Sequence, residues 1–81
     1  MIRIIKIQEG YEPEVFILKD GLDRDSWRVG SLPKMLRAAD ALARTAPASV
    51  LVLNQHSDVV KCLRYLPGRA VIEEDPRLVY A

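Results

Sequence analysis

The chain has only one cysteine, Cys62, one histidine, His56, and one tryptophan, Trp27, among its 81 residues. A single cysteine excludes an intramolecular disulfide, so the fold must rest on a noncovalent core. A lone histidine and a lone cysteine do not make a zinc site, which needs four protein ligands or three and a water. We therefore expect no metal, no cofactor and no enzymatic activity.

Long hydrophobic runs are also missing. No apolar stretch approaches the ~18 residues that span a bilayer. Residues 1–7 interleave charges with isoleucines and lack the continuous core of a signal peptide. These features predict a cytoplasmic protein without membrane contact, complete from Met1 to Ala81. The length suits one compact domain covering residues 1–81.

Neither sign of charge is in clear excess. Twelve lysines and arginines stand against eleven acidic residues, for a formal net charge of +1. Nucleic-acid-binding proteins usually carry a clear basic excess or a basic stripe. Another protein is therefore the first partner to expect, and nucleic acid comes second.

Apolar and β-branched clusters predict the strands. They lie at residues 2–7, 14–19 and 50–53, with shorter ones at 27–29, 69–73 and 78–80. The run Val50–Leu53 is apolar throughout and is followed by polar residues and then an amphipathic segment. That order indicates a buried strand, a loop and a helix, as in α/β proteins.

Helical spacing occurs in two segments. Ser31 offers an N-cap to a first helix that ends near Thr45, before Pro47. Its apolar face comprises Met35, Leu36, Ala39, Leu42, Ala43 and Ala46. A second helix is expected after Asp58, with a buried stripe of Val59, Cys62, Leu63 and Leu66, ending at Pro67–Gly68. Cys62 would then be a buried structural thiol.

The predicted order is β-β-(β)-α-β-α-β, which defines an α+β or small α/β domain. Its mixed sheet would have four to five strands, with two helices packed on one face. The other face would then carry exposed apolar side chains, drawn from Ile5, Phe16, Leu18, Leu51 or Leu53 according to register. Small monomers rarely leave a large apolar patch uncovered, so a protein partner or a second copy should cover it.

Trp27 and Arg28 are the first candidates for partner contact, since Trp and Arg dominate the energetics of protein interfaces. Trp27 could equally fold back to close one end of the core. Tyr11, in the loop of the first hairpin, and Tyr65, on the polar side of the second helix, are further contact candidates.

A second candidate site lies in the loop after Leu53. Asn54, His56, Ser57 and Asp58 would stand at the carboxyl end of a strand and ahead of a helix, where α/β folds bind ligands and anions. His56 could act as an acid, a base or a ligand, oriented by Asp58. The simpler alternative has Ser57 or Asp58 capping the helix and His56 in solvent.

The remaining charged clusters are weaker candidates for a functional site. Lys34, Arg37 and Arg44 on the first helix could contact phosphates, but Asp40 interrupts them and no aromatic residue is interleaved. A solvated helix face is the alternative. The acidic groups at Asp20, Asp23 and Asp25 and at Glu73, Glu74 and Asp75 depart from calcium-loop spacing, so we interpret both as exposed turns.

Three functions follow. The first is a small non-enzymatic protein-binding module, an inhibitor or regulator of bacterial or bacteriophage type that occupies a partner's surface. The second is nucleic-acid binding through the basic face of the first helix. The third is a small enzyme or ligand-binding domain around His56. A homodimer is compatible with all three.

Overall fold

The computed structural model describes residues 3–21, 23–44 and 47–77, and for residues 23–26 the backbone alone. Within these residues the chain forms one helix and six strands. In chain order they are β1 (Arg3–Glu9), β2 (Phe16–Asp20), β3 (Asp23–Gly30), α1 (Leu32–Ala43), β4 (Ala48–Leu53), β5 (Val59–Tyr65) and β6 (Ile72–Glu74).

All six strands belong to one sheet in the order β3-β2-β1-β4-β5-β6. The central pair β1–β4 is parallel, and the other neighbours are antiparallel. Helix α1 therefore connects the edge strand β3 to the central strand β4 and crosses over β2 and β1. The helix packs against β1, β2, β3 and β4, so one face of the sheet has a helix above it. We call the opposite face the helix-free face.

The core lies between α1 and the central strands. Ile5 pairs with Val50 and Ile7 with Val52, and all four side chains are almost completely buried. Met35, Ala39 and Ala43 of the helix pack onto them. Small alanine side chains let the helix approach the sheet closely, so burial of the β-branched residues is nearly complete.

The first helix agrees with the sequence prediction in position and in its buried face. Ser31 occupies the N-cap position with extended backbone geometry, although its side chain makes no capping hydrogen bond. Leu36 and Leu42 are partly buried against the core. Thr45 and Ala46, where we expected the helix to end, lie outside the described residues, as does the short strand predicted at residues 78–80.

The predicted second helix is wrong: residues 59–65 form strand β5. A bulge explains the misleading spacing. Val52 pairs with Lys61 and Leu53 with Val59, so Val60 is an extra residue in the strand. The bulge brings Val59 and Cys62, three residues apart, onto the same face. An irregular strand thereby reproduces a helical interval.

The predicted fold class is corrected accordingly. The sheet has six strands in place of four or five, and in the described part of the chain one helix in place of two covers it. The β4–β5 connection is an antiparallel hairpin and not a crossover. No helix within residues 3–21, 23–44 and 47–77 is long and apolar enough to cross a membrane.

The apolar residues that we predicted for the uncovered face of the sheet are distributed over both of its faces. Ile5 and Leu18 are buried beneath the helix, and Phe16 packs on the same side. Leu51 and Leu53 do lie on the helix-free face, but they are buried in a second small cluster with Cys62 and Val59. Cys62 is thus the buried thiol that we predicted, on a strand and not on a helix.

Candidate functional site

The helix-free face is most exposed where β1, β2 and β3 form it. Neighbours paired across a sheet project to the same side, so the register gives its composition. Trp27 pairs with Lys19, and Val29 pairs with Ile17. With Ile4 and Lys6 of β1, these side chains form a surface that we call the β1–β3 patch: Ile4, Lys6, Ile17, Lys19, Trp27 and Val29.

Large apolar side chains in this patch are open to solvent. Trp27 is 60% exposed, Val29 53% and Ile4 43%. Aromatic and β-branched side chains on a sheet normally pack against neighbours or another layer. The exposed apolar side chains of the patch are therefore of the kinds found in interface cores, at a place where α1 provides no cover.

One cross-strand row shows how the face changes from edge to centre. Trp27, Lys19 and Lys6 are neighbours on β3, β2 and β1, and the row continues through Leu51 of β4 and Cys62 of β5. Leu51 and Cys62 are buried, whereas Lys6 and Lys19 are exposed. The open part of the face is thus the half formed by the first three strands.

An open cleft of about 450 Å³ adjoins the patch where β1 ends and β2 begins. Its lining includes Gln8 and Ile17 from the strands, Tyr11 from the loop between them, and Gln55 and Ser57 from the β4–β5 turn. The amide of Gln55 donates a hydrogen bond to the carbonyl of Gly10 at 3.1 Å. A second contact, from Gln8 Nε2 to the carbonyl of Asn54 at 2.7 Å, joins the end of β1 to the β4–β5 turn.

Trp27 and Arg28, the predicted contact pair, project to opposite faces. Trp27 lies in the β1–β3 patch, while Arg28 pairs with Leu18 and so projects to the side of the helix. Both side chains are exposed. A flat partner surface can contact one of them but not both, so only Trp27 belongs to the candidate site.

The two tyrosines that we predicted as contact residues differ in their exposure to solvent. Tyr11 is 97% exposed at the rim of the cleft. Tyr65 is 8% exposed and packs in the core beneath the helix, because it ends a strand and does not lie on the polar side of a helix. Its burial removes it from the candidate contact residues. Burial, together with interaction with the Asp40 carboxylate, raises the pKa of Tyr65 above its usual value.

Asn54, His56, Ser57 and Asp58 form a hairpin turn and not a strand-to-helix loop. The side-chain oxygen of Asn54 accepts hydrogen bonds from the backbone N–H groups of His56 at 2.9 Å and Asp58 at 3.0 Å. Ser57 adopts a positive φ of 65°. No helix begins here, so the N-terminal dipole on which our anion-site hypothesis rested does not exist at this turn. The His56 and Asp58 side chains are exposed.

The basic residues of α1 remain on its outer surface. Lys34, Arg37 and Arg44 are all exposed. Arg44 is held by Asp40 through contacts of 2.8 and 3.1 Å, and this pairing lowers the pKa of the Asp40 carboxyl. One of the three cations is therefore already matched within the helix.

Four of the six acidic residues in the two acidic clusters have basic partners, and the side chains of Asp23 and Asp25 lie outside the described residues. Asp20 is buried and bound by Arg3, in contrast to the exposed turn that we predicted. Glu73 pairs with Lys61 at 3.5 Å, Glu74 with Arg64 at 2.8 Å and Asp75 with Arg77 at 3.2 Å. Across the described ranges, no group of three His, Cys, Asp or Glu side chains could hold a metal ion.

Lys6 and Lys19 were not among the predicted site residues. Each lies within an apolar strand, and the alternation around each marks it as projecting away from Ile5, Ile7 and Leu18. The signal was present in each strand alone, but the pairing of β1 with β2 was needed to bring the two lysines together. Comparisons with protein-family models, curated proteins and solved structures find no significant match.

Proposed function

We propose that this chain is a non-enzymatic protein-binding module, an inhibitor or regulator that acts by covering the surface of a partner protein. The β1–β3 patch is its contact surface. The observation that carries the proposal is the 60% exposure of Trp27 on the half of the sheet that α1 does not cover. Tryptophan truncation at interfaces commonly costs the most binding energy, because the ring buries a large area at modest entropic cost.

The surroundings of Trp27 support the same function. Val29 and Ile4 add exposed apolar area, and the side chains are held on paired strands, so little backbone ordering is needed on binding. The cleft beside Tyr11 extends the surface toward the loop end of the sheet. We place this binding in the cytoplasm, where a single buried thiol remains reduced.

The test is affinity capture from a lysate of the source cells, quantified by mass spectrometry. Wild type, Trp27→Ala and Arg28→Ala are compared as baits. Arg28 is a matched control because it lies on the same strand and is exposed, yet projects to the other face. We expect one protein to be retained by wild type and by Arg28→Ala and lost with Trp27→Ala.

Nuclease treatment and light scattering complete the design. Retention of the same protein after nuclease treatment supports direct protein binding. Capture that disappears with nuclease would replace the proposal with nucleic-acid binding, and equal capture by all three baits would remove the patch as the contact surface. A dimer mass that falls to a monomer with Trp27→Ala would identify the partner as a second copy.

A further inference from the structure

Two lysines stand directly opposite each other in the middle of the β1–β3 patch. Lys6 of β1 pairs with Lys19 of β2. Directly paired residues have Cβ atoms roughly 5 Å apart, and like charges in this position destabilise a sheet. Neither lysine forms an ion pair with any residue that the structure describes, whereas Lys61 and Arg64 on β5 are both paired with glutamates of β6.

The lysines are surrounded by exposed apolar groups. Trp27 is the cross-strand neighbour of Lys19 on β3. Ile4 and the two lysines line an open cleft of about 280 Å³ near Gly21. A partner that covers Trp27 must also cover or closely border both ammonium groups. Burying a charge without a counter-charge is strongly unfavourable, so a purely apolar partner surface is a poor match.

We propose that the partner presents an acidic as well as apolar segment to the patch. Its carboxylates bind Lys6 and Lys19, and an adjacent apolar side chain packs on Trp27 and Val29. This inference rests on the proposed protein-binding function and adds the chemistry of the partner. The carboxylates would relieve the repulsion between the paired lysines, so the free patch is arranged for an anionic occupant.

Two other occupants fit these observations less well. A two-fold axis through the lysines would place the same pair of a second copy against them and would add to the repulsion. Single-stranded nucleic acid is bound by successive aromatic side chains on which bases stack. Here Trp27 is the one aromatic side chain of the patch, and the other five are aliphatic or lysine.

The single tryptophan makes the test direct, because selective excitation of tryptophan reports on the patch itself. The probes are three short peptides in which leucine alternates with glutamate, glutamine or lysine, and an oligothymidylate. Each is labelled, so that anisotropy reports binding independently of Trp27. We expect the glutamate peptide to change the fluorescence and to bind at least about tenfold tighter than the glutamine peptide.

Charge-reversal variants assign the binding to the lysines. Lys6→Glu and Lys19→Glu should each weaken the glutamate peptide about tenfold and should improve binding of the lysine peptide. Lys34→Glu, on the exposed outer surface of α1, is the matched control and should leave the binding of both peptides unchanged. Circular dichroism of each variant confirms the fold, and added salt should weaken only the charged interaction.

The outcomes separate this inference from the proposed function. Equal binding of the glutamate and glutamine peptides, unaffected by either lysine variant, would overturn the acidic-partner inference and leave the apolar contact surface standing. Binding of oligothymidylate alone would overturn it in favour of nucleic acid. The absence of binding by every probe would also refute it, whereas the capture experiment with Trp27→Ala judges the protein-binding function separately.

Discussion

Arg3 and Asp20 form a two-point ion pair that joins the first two strands beneath the end of the helix. Both nitrogens Nε and Nη2 of Arg3 contact the carboxylate of Asp20, whose side chain is only 4% exposed. Nη1 of the same guanidinium donates a hydrogen bond of 3.0 Å to the carbonyl of Leu42 in the last turn of α1. One side chain thus ties β1 to β2 and to the helix.

Breaking this pair should be costly. Asp20→Leu removes the carboxylate that binds the guanidinium of Arg3 in a largely buried site, and breaking such a pair typically destabilises a protein by about 3 kcal/mol or more. The double variant Arg3→Met/Asp20→Leu removes both charges and should be less destabilised than Asp20→Leu alone. Urea unfolding of wild type, Arg3→Met, Asp20→Leu and the double variant measures the coupling energy between the two side chains. Additive losses would show that the two side chains act independently.

Tyr65 makes stability depend on alkaline pH. Because burial and Asp40 raise the pKa of its hydroxyl in the folded state, the folded protein holds this proton more tightly than the unfolded chain. The resulting stability is fully present below pH 10 and is lost as pH rises through the higher folded-state value. Urea unfolding from about pH 8 to about pH 11 should show a steeper decline for wild type than for Tyr65→Phe. Parallel curves would contradict this.

Asn54 should matter for stability more than its neighbour His56. Asn54→Ala removes two hydrogen bonds to the backbone of the β4–β5 turn, which should lower the free energy of unfolding by about 1–2 kcal/mol. His56→Ala, in the same turn with its imidazole exposed, should change it by less than about 0.5 kcal/mol. Thermal or urea unfolding of both variants checks the contrast, and equal losses would show that the Asn54 side chain does not hold the turn.

Cys62 should resist thiol reagents in the native protein. Its side chain is 1% exposed and packs with Leu51, Leu53 and Val59, so modification requires the β4–β5 region to open. The reaction with an aromatic disulfide reagent should be slow without denaturant and fast in urea. A native rate equal to that of a free thiol would place Cys62 in a region that opens readily.

The sequence was sufficient for elements with a regular period. The spacing of Met35, Ala39 and Ala43 located α1 because it matches the helical repeat, whereas β1, whose isoleucines follow no single period, was located by its density of β-branched residues. The residues at 59–65 were misread because the bulge at Val60 replaces a period of two with an interval of three. The polar turn before them then resembled a helix cap, since Asn54 bonds to the backbone in either case.

The candidate site could be predicted only in part. Trp27 was identified from its residue type, but its face depends on the pairing of β3 with β2. The opposition of Lys6 and Lys19 depends on pairing between strands that the sequence alone leaves without a register. The ion pair of Arg3 and Asp20 joins residues whose separation of 17 positions has no local signature.

The parallel pairing of β1 with β4 has a consequence for synthesis of the chain. Strand β1 is synthesised before its parallel partner Ala48–Leu53, which follows only after α1 has been made. Until then the isoleucines of β1 lack one of their two neighbouring strands and the core residues Val50 and Val52. Loop closure over this distance slows folding, so β1 presents an open apolar edge until β4 is available to pair with it.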